Sequence, residues 1–367
     1  MRRIKKKKKK MNVTILVGNG FDLNLNLKTK YTDFLNYYCG DSGADHVTIQ
    51  SFKQDILQDY KTWSDAELAF GRYTEKFLND DDGAEKFCDC HDDFCIKLAF
   101  YLQNQETRLN WNYASRDIAN AFGECVSFKN LISGLLETEK TEIRETSTRY
   151  GGGITYNFIN FNYTKSLDNF VKEAAKISGA FGERSTVGGR FSNSFGELYH
   201  VHGTTENDMV LGVNDESQIQ KPEIFENYGE EYKNDLIKQR TNEMNGANID
   251  SKCGKILNES HLIYIYGMSL GATDALWWGR IMELLVSHEN VQVVIHAYNA
   301  PPSQLLKRAF HTYCRMEKDA FSAYYKSDKP VTDAVLKRIH FDPSNIFEKL
   351  KAFAATEETI NAVPETV

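Results

Sequence analysis

No apolar run in the 367 residues approaches the roughly 20 needed to cross a bilayer, which argues against a membrane protein. The stretch before Met11 lacks the hydrophobic centre of a secretion signal. The seven cysteines are an odd number in a chain without an export signal, so they read as reduced thiols and not as a disulfide framework. A cytoplasmic protein that draws its stability from its core is therefore expected. Internal repeats and coiled-coil heptads are missing too, so nothing in the pattern specifies an assembly.

What is present is ordinary globular material. An apolar content of 41% and this length fit one large domain, or one domain carrying a sizeable insertion. Charge is unevenly placed. Arg2, Arg3 and Lys5 to Lys10 put eight positive charges before Met11, and without them the net charge falls from −7 to −15. An acidic body repels polyanions unless a basic groove offsets it, so nucleic acid is not the default partner. Residues 1–10 read as a disordered basic tail, an upstream start or an appended segment, outside the fold.

Residues 13–18 form a β-branched run ending in glycine, followed by a Gly-Asn-Gly turn and the helical pattern Tyr31-Thr32-Asp33-Phe34-Leu35. Residues 11–35 thus read as the first strand, loop and helix of an α/β domain. Over 36–150, Phe87, Phe94, Leu98 and Tyr101 recur at helical spacing, the mark of a helical insertion. Strand-like runs return at 154–161, 198–201, 209–213, 261–266 and 291–297, with a polar helical cover near 216–259 and closing helices at 303–318 and 331–339. The α/β domain resumes over 151–345, and 346–367 read as a C-terminal tail. Strands interleaved with helices predict a Rossmann-like, mostly parallel sheet flanked by helices. Such sheets place ligands beyond the carboxyl ends of their strands.

Four of those ends carry polar residues. Gly18 and Gly20 let backbone approach a phosphate closely, although Leu23 stands where the dinucleotide fingerprint needs a third glycine. Asp22 in the same loop reads equally as a helix cap. Asn160 and Asn162 alternate onto one face, which implies a polar pocket or a buried network. His200 and His202 likewise share a face by alternation. Gly267, Ser269 and Asp274 follow a late strand, where ribose contacts or helix capping explain them, and Trp277 and Trp278 read as core.

The order of these pieces carries a resemblance. Gly18-Asn19-Gly20-Phe21-Asp22-Leu23 with Leu27-Lys28-Thr29-Lys30-Tyr31-Thr32-Asp33-Phe34 resembles the opening signature of the phage abortive-infection AbiH family. Phe161-Asn162-Tyr163-Thr164, His200-Val201-His202-Gly203 and Tyr266-Gly267-Met268-Ser269-Leu270-Gly271-Ala272-Thr273-Asp274 resemble that family's later blocks. Membership implies antiphage defence by abortive infection, set off by a phage-derived trigger. The same order is similar, more distantly, to sirtuin-like NAD-binding domains, though Thr164 stands where their acid usually stands and Asn19 where they carry alanine. The Cys-x-x-Cys ribbon of the deacetylases is absent, which leaves NAD consumption. Mapped by motif, the resemblance implies that Gly18 and Gly20 hold phosphate, that Asn162 is the pocket asparagine, that His202 is the catalytic histidine and that Ser269 contacts ribose; the site as a whole is expected to use His202, Asn162 and Asp22 in catalysis and Gly18, Asn19, Gly20, Phe21, Asn160, Gly267, Ser269 and Asp274 against the nucleotide.

The chemistry so implied is hydrolysis of an N-glycosidic bond in NAD or a related nucleotide, with no metal. Asn162 would orient ribose or water, His202 would act as base and Asp22 would steady the developing cation. Two alternatives stand beside it. One is a nucleotide-sensing module that acts through a partner or a homo-oligomer. The other is a magnesium nuclease using Asp22 and Asp274, which the acidic body and the lack of a tight carboxylate cluster disfavour. Cys88, Cys90, His91 and Cys95 lie close in sequence, but on a helix Cys90 points away from the other three, so they read as packing residues and not as a zinc site.

Overall fold

The computed structural model describes residues 9–41, 46–246, 248–302 and 305–355. Most of the expected basic tail, residues 1–8, and the end of the expected C-terminal tail, residues 356–367, lie outside the described residues. Eight strands and fifteen α-helices occur among the described residues. The strands are β1 (Met11–Val17), β2 (Ile154–Asn160), β3 (Glu183–Thr186), β4 (Gly189–Ser192), β5 (Ser194–His200), β6 (Leu262–Tyr266), β7 (Gln292–His296) and β8 (Ile339–Asp342). β3 and β4 form a separate antiparallel pair.

The other six make one sheet in the order β5-β2-β1-β6-β7-β8, and every pairing in it is parallel. Counted along the chain within this sheet, the order is 3-2-1-4-5-6, the doubly wound arrangement of Rossmann-like folds. The Rossmann-like α/β expectation is met. Strand order reverses between β1 and β6, so the crevice for a ligand opens where Gly18 and Gly267 leave those two strands.

Period-two alternation divides the core. Val13, Ile15, Val17, Tyr156, Phe158, Tyr264 and Val294 point to one face, against the helices Ser115–Cys125 and Ser166–Lys176. Leu16, Ile159, Ile263, Ile265, Val293 and Ile295 point to the other, against Ile249–Asn258, Ala275–Ser287 and Lys307–Ser322. Both faces of the sheet are thus covered, which is why the strands read as continuous apolar runs. Trp277 and Trp278 are buried in the second layer.

A third apolar body stands apart from the sheet. Helices Tyr31–Gly40, Val47–Gln58, Ala66–Tyr73 and Gly83–Glu106 pack around Phe34, Phe52, Phe70 and Phe94, with Leu211, Phe225 and Leu236 closing it from a later segment. Among the described residues every regular element between β1 and β2 is a helix, but the stretch divides its packing. Its second half, from Ser115 on, covers the sheet.

Several local expectations are corrected. Residues 209–213 form no strand, since only Val213 makes an isolated bridge, to Ile237. The pair β3–β4 was not foreseen, its exposed polar strands carrying no alternation signal. The closing helix expected over 331–339 shortens to Asp333–Leu336, and its last residue, Ile339, opens β8. Residues 346–355, expected as tail, place Phe347, Leu350 and Phe353 in the core beneath the sheet. Of the polar cover, Ile219, Ile224, Phe225, Leu236 and Ile237 are buried against the helical body. The Ile249–Asn258 helix belongs to the sheet layer.

Candidate functional site

A cavity of about 280 Å³ lies at the reversal point, near the lower end of the roughly 300–1,000 Å³ usual for ligand pockets. Its sheet-side wall carries Gly18, Asn19, Asp22, Asn162, His202, Gly267, Ser269 and Asp274. Eight of the eleven sequence-designated residues therefore converge, from segments far apart in the chain. Gly20, Phe21 and Asn160 do not line it.

The reasons for those three are physical. A Cβ on Gly20 would stand 2.4 Å from the Cα of Gly267, so this glycine permits contact between two loops and not the approach of a phosphate. Gly20 N–H donates to Gly267 O, and Gly18 N–H to Tyr266 O; neither amide is free for an anion, which corrects the phosphate-cradle expectation for this turn. Gly267 itself has a φ of +66°, a conformation that favours glycine. Phe21 is fully buried, edge-on to Phe170 and Phe347. Asn160 is buried too, with its Oδ1 accepting from Asn162 N–H.

Asp22 is not a helix cap. It lies inside the short helix Gly20–Asn24, and its Oδ2 accepts from Thr164 Oγ1 at 2.6 Å while Ser166 donates to Oδ1. Burial pushes its carboxyl up to about 6, against the two hydroxyl hydrogen bonds and the nearby His200, which pull it down. With both oxygens occupied, Asp22 ties the β1 loop to the β2 loop. Asn19 is similarly engaged: its Nδ2 donates to Thr29 O at 3.0 Å and its Oδ1 accepts from Thr29 Oγ1.

The two histidines part company. β5 ends at His200, so strand alternation does not reach His202 and the shared-face expectation fails. His200 lies 2.8 Å from Asn162 O through Nδ1 and 2.9 Å from Asp168 Oδ2 through Nε2, a bracing role beside the cavity. His202 lines the cavity and is only 6% exposed. Its Nε2 is 3.5 Å from Asp274 Oδ1, and its buried Nδ1 has no hydrogen-bond partner. Leaving such an atom unpaired costs about 1–3 kcal/mol, and that suits a group kept for a ligand. Burial alone would raise Asp274, but the His202 hydrogen bond and the charges of Lys238 and His202 hold it below its ordinary value.

Asn162 donates from Nδ2 to Gly18 O at 3.2 Å, which leaves its amide oxygen without a protein partner among the described residues. Ser269 is exposed and caps nothing; the cap position of the Ala275–Ser287 helix is Asp274, without a side-chain cap bond.

The opposite wall escaped sequence reasoning. The helical body supplies Tyr31, Ser64, Asp65, Glu67, Leu98 and Leu102. Glu67 forms a buried ion pair with Lys238 at 2.6 Å and accepts from Tyr163 at 3.2 Å. Asp65 caps Ala66–Tyr73 through Leu68 N–H. An Asp before a helix signals a cap from sequence, but nothing local reveals that this cap faces a site built 100 residues later.

The Cys88–Cys95 cluster is packing. Cys90 is buried in the helical body, and His91 Nε2 is 2.8 Å from Leu211 O. Among the described residues no group of three or more His, Cys, Asp or Glu side chains is placed to hold a metal ion, and no helix is long and apolar enough to cross a membrane.

No curated protein and no solved structure matches the chain. The model of the family described as "Bacteriophage abortive infection AbiH" matches residues 14–296, a span that holds all the cavity-lining residues just described. With its opening loop and its Asn162, His202 and Asp274 blocks all inside that span, which covers most of the chain, the chain belongs to the bacteriophage abortive infection AbiH family.

Proposed function

We propose that this antiphage protein hydrolyses the N-glycosidic bond of NAD or a closely related nucleotide in the cavity between sheet and helical body. The observation that carries the reading is the buried His202–Asp274 pair, 3.5 Å apart, with the unpartnered Nδ1 on the other side of the imidazole. A carboxylate on Nε2–H fixes the ring and leaves Nδ1 as the basic nitrogen, the division of labour seen in carboxylate–histidine catalytic pairs.

Such a pair supports hydrolysis with His202 as the base. As the bond from ribose C1′ to the pyridinium nitrogen lengthens, its electron pair goes to nicotinamide and positive charge develops on the ribose. A water oxygen forms the new bond to C1′, and its proton passes to His202 Nδ1. Asn162, anchored to Gly18 O, offers its free amide oxygen to a ribose hydroxyl or to that water. Asp22, whose oxygens are both engaged, acts by holding the β1 and β2 loops in register and not as the cation stabiliser.

The test is direct. Purified protein is incubated with NAD, alone and with lysate of infected cells as a source of trigger, and nicotinamide release is followed. His202→Ala should lower release by on the order of 10²–10⁴, and Asp274→Asn by a smaller factor. No release under any trigger, from protein with a normal melting transition, removes the hydrolase reading. The burial of Nδ1 gives a sensor reading some support, since a covered base suits binding better than turnover. Tight nucleotide binding by calorimetry without product, unchanged in His202→Ala, would select it.

A further inference from the structure

Among the described residues four carboxylates line the cavity, Asp22, Asp65, Glu67 and Asp274, and no lysine or arginine does. Three of the four face a side-chain partner within the protein: Asp22 accepts from Thr164 and Ser166, Glu67 pairs with Lys238 and accepts from Tyr163, and Asp274 Oδ1 lies 3.5 Å from His202 Nε2. Asp65 differs. Its one side-chain hydrogen bond is from Leu68 N–H, at 3.2 Å, and among the described residues it has no ion-pair partner. His202 lines the same cavity, and its buried Nδ1 has no hydrogen-bond partner.

We infer that the cavity selects a cationic ring, and that Asp65 is the specificity-determining residue that reads its charge. The inference rests on the cavity being the substrate site proposed above, but not on hydrolysis occurring there. A carboxylate wall without a free cation repels phosphate, so the phosphates of a dinucleotide stay at the mouth. The portion that enters is the pyridinium end, which is positively charged in oxidised NAD and neutral in the reduced form. Burial, aided by the charges of Glu67 and Asp274, holds Asp65 above its ordinary range, against the Leu68 hydrogen bond and Lys238. An entering cation supplies the compensating charge that this partly buried carboxylate lacks.

A pair of probes that cannot be hydrolysed isolates the charge. 1-Methylnicotinamide and nicotinamide have the same ring and amide, but only the first is a cation, and neither contains a glycosidic bond. Titrated into the full-length protein by calorimetry or ligand-observed NMR, the cation should bind on the order of tenfold more tightly. Asp65→Asn keeps the helix cap, since asparagine caps as well as aspartate, and should bring the two affinities together. Equal affinities in the unaltered protein, binding of neither ring, or a preference that survives Asp65→Asn overturns the inference. Charge selection without nicotinamide release from NAD would sink only the hydrolase reading, and release without charge selection would sink only this one.

Discussion

One buried carboxylate, Asp22, and one partly buried, Glu106, set an unusual pH response. Burial pushes Asp22 up to about 6 and Glu106 up to about 7, in the latter case against the hydrogen bond from Lys165 N–H. Both values lie above those of the unfolded chain, so between about pH 4 and 7 the folded state binds more protons than the unfolded one. Stability from these groups is therefore fully present at the acidic end and is lost as pH rises through the folded values. Asp22→Asn can still satisfy Thr164 and Ser166, one as acceptor and one as donor. In denaturant melts it should gain stability relative to the unaltered protein on going from pH 4.5 to 7.5, by on the order of 2–3 kcal/mol. A difference independent of pH would show that Asp22 ionises freely in the fold. Sequence alone picked out Asp22 because it sits in the signature loop. It could not reveal which partners Asp22 has, because Thr164 and Ser166 reach it from more than 140 residues away.

At the scale of elements, two contacts make the site. One is the meeting of the β1 and β6 loops, where Gly20 and Gly267 touch backbone to backbone. Gly20→Ala puts a methyl 2.4 Å from a Cα that cannot swing aside, and should cost about 1–3 kcal/mol or more, read as a lower melting temperature together with weaker ligand binding. The other is the buried Glu67–Lys238 pair, with side chains 10% and 5% exposed, which joins the helical body to the segment after Ile237. Lys238→Met strands a buried carboxylate and should destabilise by about 3–5 kcal/mol, whereas the double change Glu67→Gln with Lys238→Met should recover most of the loss. Should the single change prove harmless, Glu67 must find water or another partner. The strands behind these contacts were legible because fully buried parallel strands read as apolar runs. The β3–β4 pair and β8 were not, the former for want of burial, the latter because four residues carry no period. The far wall of the cavity was invisible for a different reason: Asp65 and Glu67 look like ordinary residues of a helix start, and only the docking of that helix gives them a site to face.

The molecule as a whole brings an acidic helical body over the carboxyl end of a doubly wound sheet, and the cavity exists only where the two meet. That division puts both walls of the cavity inside residues 14–296, the span that the family model matches. It also orders the fold's assembly. β1 is the central strand, yet its neighbours are paired as Met11 with Ile154 and Val13 with Leu262. At roughly 5–20 residues per second, a ribosome needs on the order of 10–30 s to deliver the first of those partners and longer for the second. Throughout that interval this apolar strand has neither of its sheet neighbours to pair with, while the helices encoded just after it are already emerging. Newly made chains should therefore depend on chaperone capture, and a cell whose chaperones are diverted by an invading phage would be slow to replenish this defence.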